Sequence, residues 1–83
     1  MSYEIDYLKK GYINVWWASE DGGVIYTAEF RCYAHEDSVY EALLVDSYLE
    51  TSTYRLPYPL TSVELEETTQ LVEEWGYNNS ECI

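Results

Sequence analysis

Cys32 and His35 stand three residues apart, the spacing of half a zinc site, and the one other thiol in the chain is Cys82. A structural zinc takes four ligands, mostly nitrogen and sulfur. With a single histidine in 83 residues, carboxylates would have to complete the set, so neither a metal nor any other cofactor is expected. His35 precedes Glu36 and Asp37, a base beside two acids. Neighbours in sequence seldom converge on one reacting atom, so a turn histidine is expected, no catalytic residue is assigned, and the chain reads as a non-enzyme. Glu20-Asp21-Gly22-Gly23 lacks the alternating oxygen ligands of a calcium loop, and no phosphate-binding glycine loop occurs. Cys32 falls in a strand-like run and Cys82 in a polar tail, which favours two free thiols over a disulfide.

The chemistry that remains is charge. Residues 62–77, SVELEETTQLVEEWGY, carry five glutamates and no lysine or arginine. Exposed helices usually gain roughly 0.3 kcal/mol from each Glu–Lys pair four residues apart, and none is available here. Glu73 and Glu74 fall in the last turn, where the helix dipole already places negative charge. Helix stability therefore does not explain them. A seven-residue separation, as in Glu66–Glu73 and Glu67–Glu74, sets carboxylates about 10 Å apart along a helix, and a duplex strand presents a charge about every 3.4 Å of axis. Such a row can stand in for a phosphate backbone before a groove lined with Lys and Arg. Asp46, Glu50, Glu36, Asp37 and Glu41 extend it if the middle of the chain lies beside the helix. The competing explanation is solubility, since a large net charge discourages association.

The element that carries these glutamates has clear ends. Thr61 with Glu64 three residues on forms a capping box, Leu60 and Leu65 can make the hydrophobic staple, and Gly76 stands where a left-handed C-terminal cap belongs. The spacing predicts a helix over 62–75 with Leu65, Thr68, Leu71, Val72 and Trp75 inward and Glu66, Glu67, Gln70, Glu73 and Glu74 outward. Upstream, YINVWWAS alternates Ile13, Val15 and Trp17 against Tyr12, Asn14, Trp16 and Ala18; VIYTAEFRCY sets Val24, Tyr26, Ala28, Phe30 and Cys32 on one face. The glycines of EDGG between them supply a tight connection, so the two runs form a hairpin. Residues 38–50 fit two patterns. Ser38 with Glu41 and the alanine and leucines suit a helix, whereas Val39, Leu43, Val45 and Leu49 on one face suit a strand. The strand is the expectation. Tyr54–Pro59, with two prolines, reads as an edge or loop. The fold class is thus α+β, one domain over 1–83, with an antiparallel sheet of about three strands and a C-terminal amphipathic helix on one face.

Sixteen acidic residues face four basic ones, a formal net charge of −12. Residues 1–31 hold five acids and three bases, net −2, and residues 32–83 hold eleven acids and only Arg55, net −10. Such a field repels nucleic acid and anionic membranes and draws in basic surfaces. Ten tyrosines and three tryptophans exceed what a core this small needs, so those on the outer face of the hairpin, Trp16 and Tyr33 among them, are candidate contact residues. MSYEIDYLKK has no apolar stretch of a signal peptide, and no run of about 18 apolar residues occurs, so a cytoplasmic protein is expected.

Small size, strong acidity, abundant aromatics and an α+β pattern resemble the phage-encoded inhibitors of host nucleic-acid enzymes: anti-CRISPR proteins, anti-restriction proteins and uracil-DNA glycosylase inhibitors. The resemblance is one of overall character and carries no residue-by-residue correspondence. It implies a non-catalytic inhibitor in the host cytoplasm that covers the nucleic-acid site of a basic protein, such as a CRISPR effector or restriction enzyme. The expected contact set is Glu66, Glu67, Glu73, Glu74, Asp46, Glu50, Glu36, Asp37, Trp16 and Tyr33. The alternative is an aromatic-rich interaction module or homo-oligomer subunit whose charge serves solubility alone.

Overall fold

The computed structural model describes residues 2–83, the Asp37 side chain apart. In chain order it comprises β1 (Glu4–Lys9), β2 (Tyr12–Ala18), β3 (Ile25–Ala34), β4 (Tyr40–Glu50), β5 (Arg55–Pro57) and α1 (Ser62–Asn79). The five strands make one antiparallel sheet in the order β1-β2-β3-β4-β5, and α1 packs on it mainly over β4 and β3. The α+β class holds, with two more strands than expected. β1 adds to the hairpin by pairing Ile5 with Val15 and Tyr7 with Ile13, and β5 contributes a three-residue edge opposite Tyr48–Glu50.

The hairpin is as its periodicity requires. Ile13, Val15 and Trp17 pair with Phe30, Ala28 and Tyr26, and all but Tyr26 are buried. Gly22 takes φ +75° in the connection. There the Asp21 carboxylate accepts from Gly23 N and Ser19 Oγ at 2.9 and 2.8 Å, which holds its carboxyl below the usual range.

β4 is a strand, but not with the face its sequence suggested. Its register against β3 slips between Asp46, opposite Glu29, and Leu44, opposite Phe30, leaving Val45 as the extra residue of a bulge. A bulge inverts the alternation beyond it. Leu43 therefore lies on the face of its partner Arg31 while Leu49 lies on that of Tyr26. The buried residue of this strand is Ala42, and Leu43, Leu44 and Val45 stay 47%, 37% and 59% exposed.

α1 begins with the expected capping box: Thr61 Oγ1 accepts from Glu64 N and the Glu64 carboxylate from Thr61 N. It then runs past Gly76 to Asn79, and Ser80 at φ +55° forms the left-handed cap. The buried stripe is Glu64, Thr68, Val72 and Gly76, with Leu71 and Trp75 half-buried beside it and Leu65 40% exposed. Leu65 yields its place in the first turn to Glu64, whose carboxylate accepts from Thr61 N and the half-buried Tyr58 hydroxyl. Small residues along the rest of the stripe let the helix axis approach the sheet.

That approach explains Gly76. Cys32 and Cys82 form a disulfide that closes 50 residues of sequence, and both are buried. A Cβ on Gly76 would fall 2.8 Å from Cys32 Sγ and closer still to Cys82 Sγ. Gly76 is there to admit two sulfurs, not to end the helix. The expectation of free thiols fails because the chain turns back after α1 and docks beside β3, where Ile83 N donates to Cys32 O at 3.0 Å and Ala34 N to Ile83 O at 2.6 Å. Disulfides are rare in reducing cytosol, so the pairing weighs against a cytoplasmic setting. No helix of the described residues is long and apolar enough to cross a membrane.

Candidate acidic interaction surface

The outward glutamates of α1 form two rows rather than one. Glu66 and Glu73 lie on the flank that turns toward β4, where Glu73 Oε2 accepts the N–H of Ala42 at 3.1 Å. A shallow depression lined by Ser62, Leu65, Glu66, Thr69, Gln70 and Glu73 follows this flank. Glu67 and Glu74 lie on the other flank, toward the N-terminal segment, where Tyr3 donates its hydroxyl to Glu67 Oε1 at 2.9 Å. Residues seven apart stay in register along a helix, but Glu66 and Glu67 differ by a step of about 100°. Each seven-residue pair therefore has its own flank.

Tyrosine hydroxyls are what four carboxylates of the molecule have in place of lysine, one of them, Glu67, on the outward side of α1. Tyr3 donates to Glu67, Tyr7 to Glu81 at 2.5 Å, Tyr48 to Glu29 at 3.0 Å and Tyr58 to Glu64 at 2.9 Å. Burial, followed by the bond to Glu67, pushes the Tyr3 phenol up to about 12. Burial does the same in direction for Tyr48 and Tyr58, and the Glu81 bond does it for Tyr7. These phenols are thus firmly protonated donors. A hydroxyl donated to a carboxylate fixes its position through a charge-assisted bond and leaves its charge in place, whereas a lysine would cancel it. Three of the four tyrosine partners lie 19 to 74 residues away in sequence, so no local spacing betrays them; the one available signal is a chain rich in tyrosine and glutamate and poor in lysine.

The cations are engaged elsewhere. Lys9 and Arg31 stand over the Tyr12 ring at 4.6 and 4.7 Å, and Arg55 over the Tyr48 ring at 3.4 Å. Arg31 shares its register with Tyr12, and Tyr48 with Thr27 and Trp16, on the sheet face away from α1. Among the described residues the one ion pair is His35 Nε2 with Glu41 Oε1 at 3.0 Å. Among the described residues no carboxylate is paired with lysine or arginine.

β4 does lie beside α1, yet its acids do not lengthen the helical rows. Glu41 pairs in register with Tyr33, Asp46 with Glu29 and Glu50 with Ile25, all on the open face of the sheet. Strand alternation sends them to the opposite side from the helix, so they approach its acids only around the β4 edge. Glu36 is exposed on the short turn between β3 and β4, and the Asp37 side chain lies outside the described residues. Trp16, 37% exposed, and the half-buried Tyr33 are both on the open face, away from Glu66 and Glu67. The ten candidate residues are therefore spread over two faces. Among the described residues no group of three or more His, Cys, Asp and Glu is placed to hold a metal. No protein-family model, curated protein or solved structure matches the chain.

Proposed function

We propose that this chain is a non-catalytic inhibitor that binds a basic nucleic-acid-binding protein and covers its nucleic-acid site with the acidic side of α1. One observation carries the reading: each helix flank has one carboxylate held in place with its charge intact, Glu67 by the Tyr3 hydroxyl and Glu73 by the Ala42 amide, while three of the four basic side chains lie over tyrosine rings. Fixed, uncompensated negative charge is what a Lys- and Arg-lined groove recognises in a phosphate backbone. A CRISPR effector or a restriction enzyme is a target of the right chemistry, and because both act in reducing cytosol the reading requires that the chain work there with Cys32–Cys82 kept by its burial or reduced. The rail consists of Glu66, Glu67 and Glu74, with Glu73 shared between the surface and Ala42.

The test is capture from a bacterial lysate on the immobilised chain, elution in a salt gradient, and competition with duplex DNA. The expected result is a basic nucleic-acid-binding protein released by moderate salt and by DNA, and lost when Glu66, Glu67 and Glu74 are changed together to Gln. Binding that persists in that variant, or that DNA leaves untouched, refutes mimicry through α1.

A further inference from the structure

The outer edge of β4 is only partly covered. β5 pairs with Tyr48–Glu50, and Ser47 is closed by Tyr58, whose N–H donates to Ser47 O at 3.2 Å. At the other end the Ala42 N–H is taken by Glu73. Between them lies Leu43–Asp46. Ala42 directs its N–H away from β3, and so by strand alternation does Leu44, two residues on. No hydrogen bond reaches that outward Leu44 amide among the described residues. Around it Leu43, Leu44 and Val45 expose three consecutive apolar side chains. The Asp46 carboxylate takes the Ser47 N–H at 2.8 Å and the bulge at Val45 shortens the opening, so the pairing groups left are those of Leu44, in an apolar edge that can template a short strand.

The side chains specify the occupant. On the open face the gap is bordered by Glu41 and Asp46, and Asp46 continues a row through its register partners Glu29, Asn14 and Asp6. On the helix face it is bordered by Leu44 and, beside Ala42, by Glu73 of α1. A strand laid here presents alternate residues to the two faces, so it fits with lysine or arginine beside Glu41 and Asp46 and with aliphatic residues against Leu44. A second copy of this chain does not fit. Each copy carries −12, and pairing β4 with β4 would bring together two edges bordered by Glu41 and Asp46.

We infer that the Leu43–Asp46 edge of β4 receives, by strand addition, an extended basic segment of a partner protein in which Lys or Arg alternates with aliphatic residues. The inference rests on the proposed recognition of a basic protein and names the contact that gives it shape.

The probe is a synthetic seven-residue peptide alternating Lys with Ile, set against a scrambled peptide of the same composition. Saturation with the alternating peptide is expected to slow hydrogen exchange at the Leu44 amide at least tenfold and to leave amides in β1 unchanged. Leu44→Pro removes that donor without touching the β3 ladder and is expected to weaken the peptide at least tenfold; circular dichroism and a thermal melt establish that it is folded. If it is not, Val45→Lys, which alters no backbone donor, carries the test with an expected loss of at least fivefold. Peptide binding that is equal for the scrambled sequence, that leaves Leu44 unprotected, or that survives the substitutions overturns the inference. So does Leu44 protection without peptide in a sample that sediments as a dimer, which makes a second copy the occupant. The Glu67 and Glu74 to Gln variant, changed only on the flank away from β4, separates the two readings: if it keeps peptide binding and Leu44 protection while weakening the lysate partner, α1 mimicry and the strand site stand apart.

Discussion

Gly76→Ala should destabilise this protein, against the rule for helix interiors. In an ordinary interior position the change stabilises by about 1 kcal/mol, because alanine loses less backbone entropy on folding. Here the added methyl would lie 2.8 Å from Cys32 Sγ and closer to Cys82 Sγ, both covalently joined and neither free to withdraw by changing rotamer. Overpacking of that kind costs about 1–3 kcal/mol. The net expectation is a loss of up to about 2 kcal/mol, with Tm falling about 4–8 °C for each kcal/mol lost in a domain of this size. Repeating the change with Cys32 and Cys82 both replaced by Ala completes a double-mutant cycle. Removing the disulfide, which closes 50 residues, itself costs about 4 kcal/mol on the loop-entropy account, so urea titrations of that pair are best run in a stabilising osmolyte. Without the sulfurs Gly76→Ala should regain its ordinary sign and stabilise by about 1 kcal/mol. The reversal of sign is the diagnostic. If Gly76→Ala stabilises the intact, oxidised protein, the disulfide does not sit against α1 and the account of Gly76 is wrong.

Two further outcomes follow from the hydrogen bonds of the carboxylates. Tyr3, pushed up from 10.0 to about 12, is an acid whose folded pKa exceeds its unfolded one, so its contribution is fully present below pH 10.0 and is lost as pH rises to about 12. Ultraviolet difference titration with single Tyr→Phe variants should show Tyr3, Tyr7, Tyr48 and Tyr58 each ionising above 10.0, and Tyr3→Phe should flatten the alkaline fall in stability; ionisation of these four phenols at 10.0 would contradict this. Glu73→Ala should cost about 1–2 kcal/mol in urea titration by leaving the Ala42 amide without an acceptor, whereas Glu73→Gln keeps an acceptor oxygen and should cost far less; equal effects would show that the bond contributes nothing.

The legible parts of this sequence are those where one local rule acts alone. Period two over Tyr12–Ala18 and Ile25–Ala34 gives the hairpin, and Thr61 with Glu64 fixes the start of α1. β1 escaped notice because EIDYLK exposes most of its side chains, so its alternation of Ile5 and Tyr7 carries little hydrophobic contrast. The bulge at Val45 inverts the face of β4 midway, and a reading that assumes constant alternation must misplace either Leu43 or Leu49. Gly76 was misjudged because a glycine near a helix end has two physical uses, positive φ or close approach, and only the return of Cys82 under the helix selects the second. The acidic rows were visible as composition but not as geometry, since what assigns Glu67, Glu73 and Glu64 to different surroundings is contact with Tyr3, Ala42 and Tyr58.

Those contacts bear on why lysine is scarce. A Glu–Lys pair on an exposed helix is worth a few tenths of a kcal/mol, about the same as many single surface hydrogen bonds. Stability therefore gives little reason to prefer one partner over the other, and the difference between them is electrostatic. Tyr3 and Tyr7 hold Glu67 and Glu81 in fixed positions without subtracting charge, and Glu73 is held by an amide that subtracts none. Solubility alone requires net charge but not fixed charge, because mobile carboxylates repel other molecules equally well. Positioned carboxylates gain something only where a counterpart has its own fixed geometry. That is the physical case for a partner with ordered cations, and it makes the arrangement of the glutamates more informative than their number.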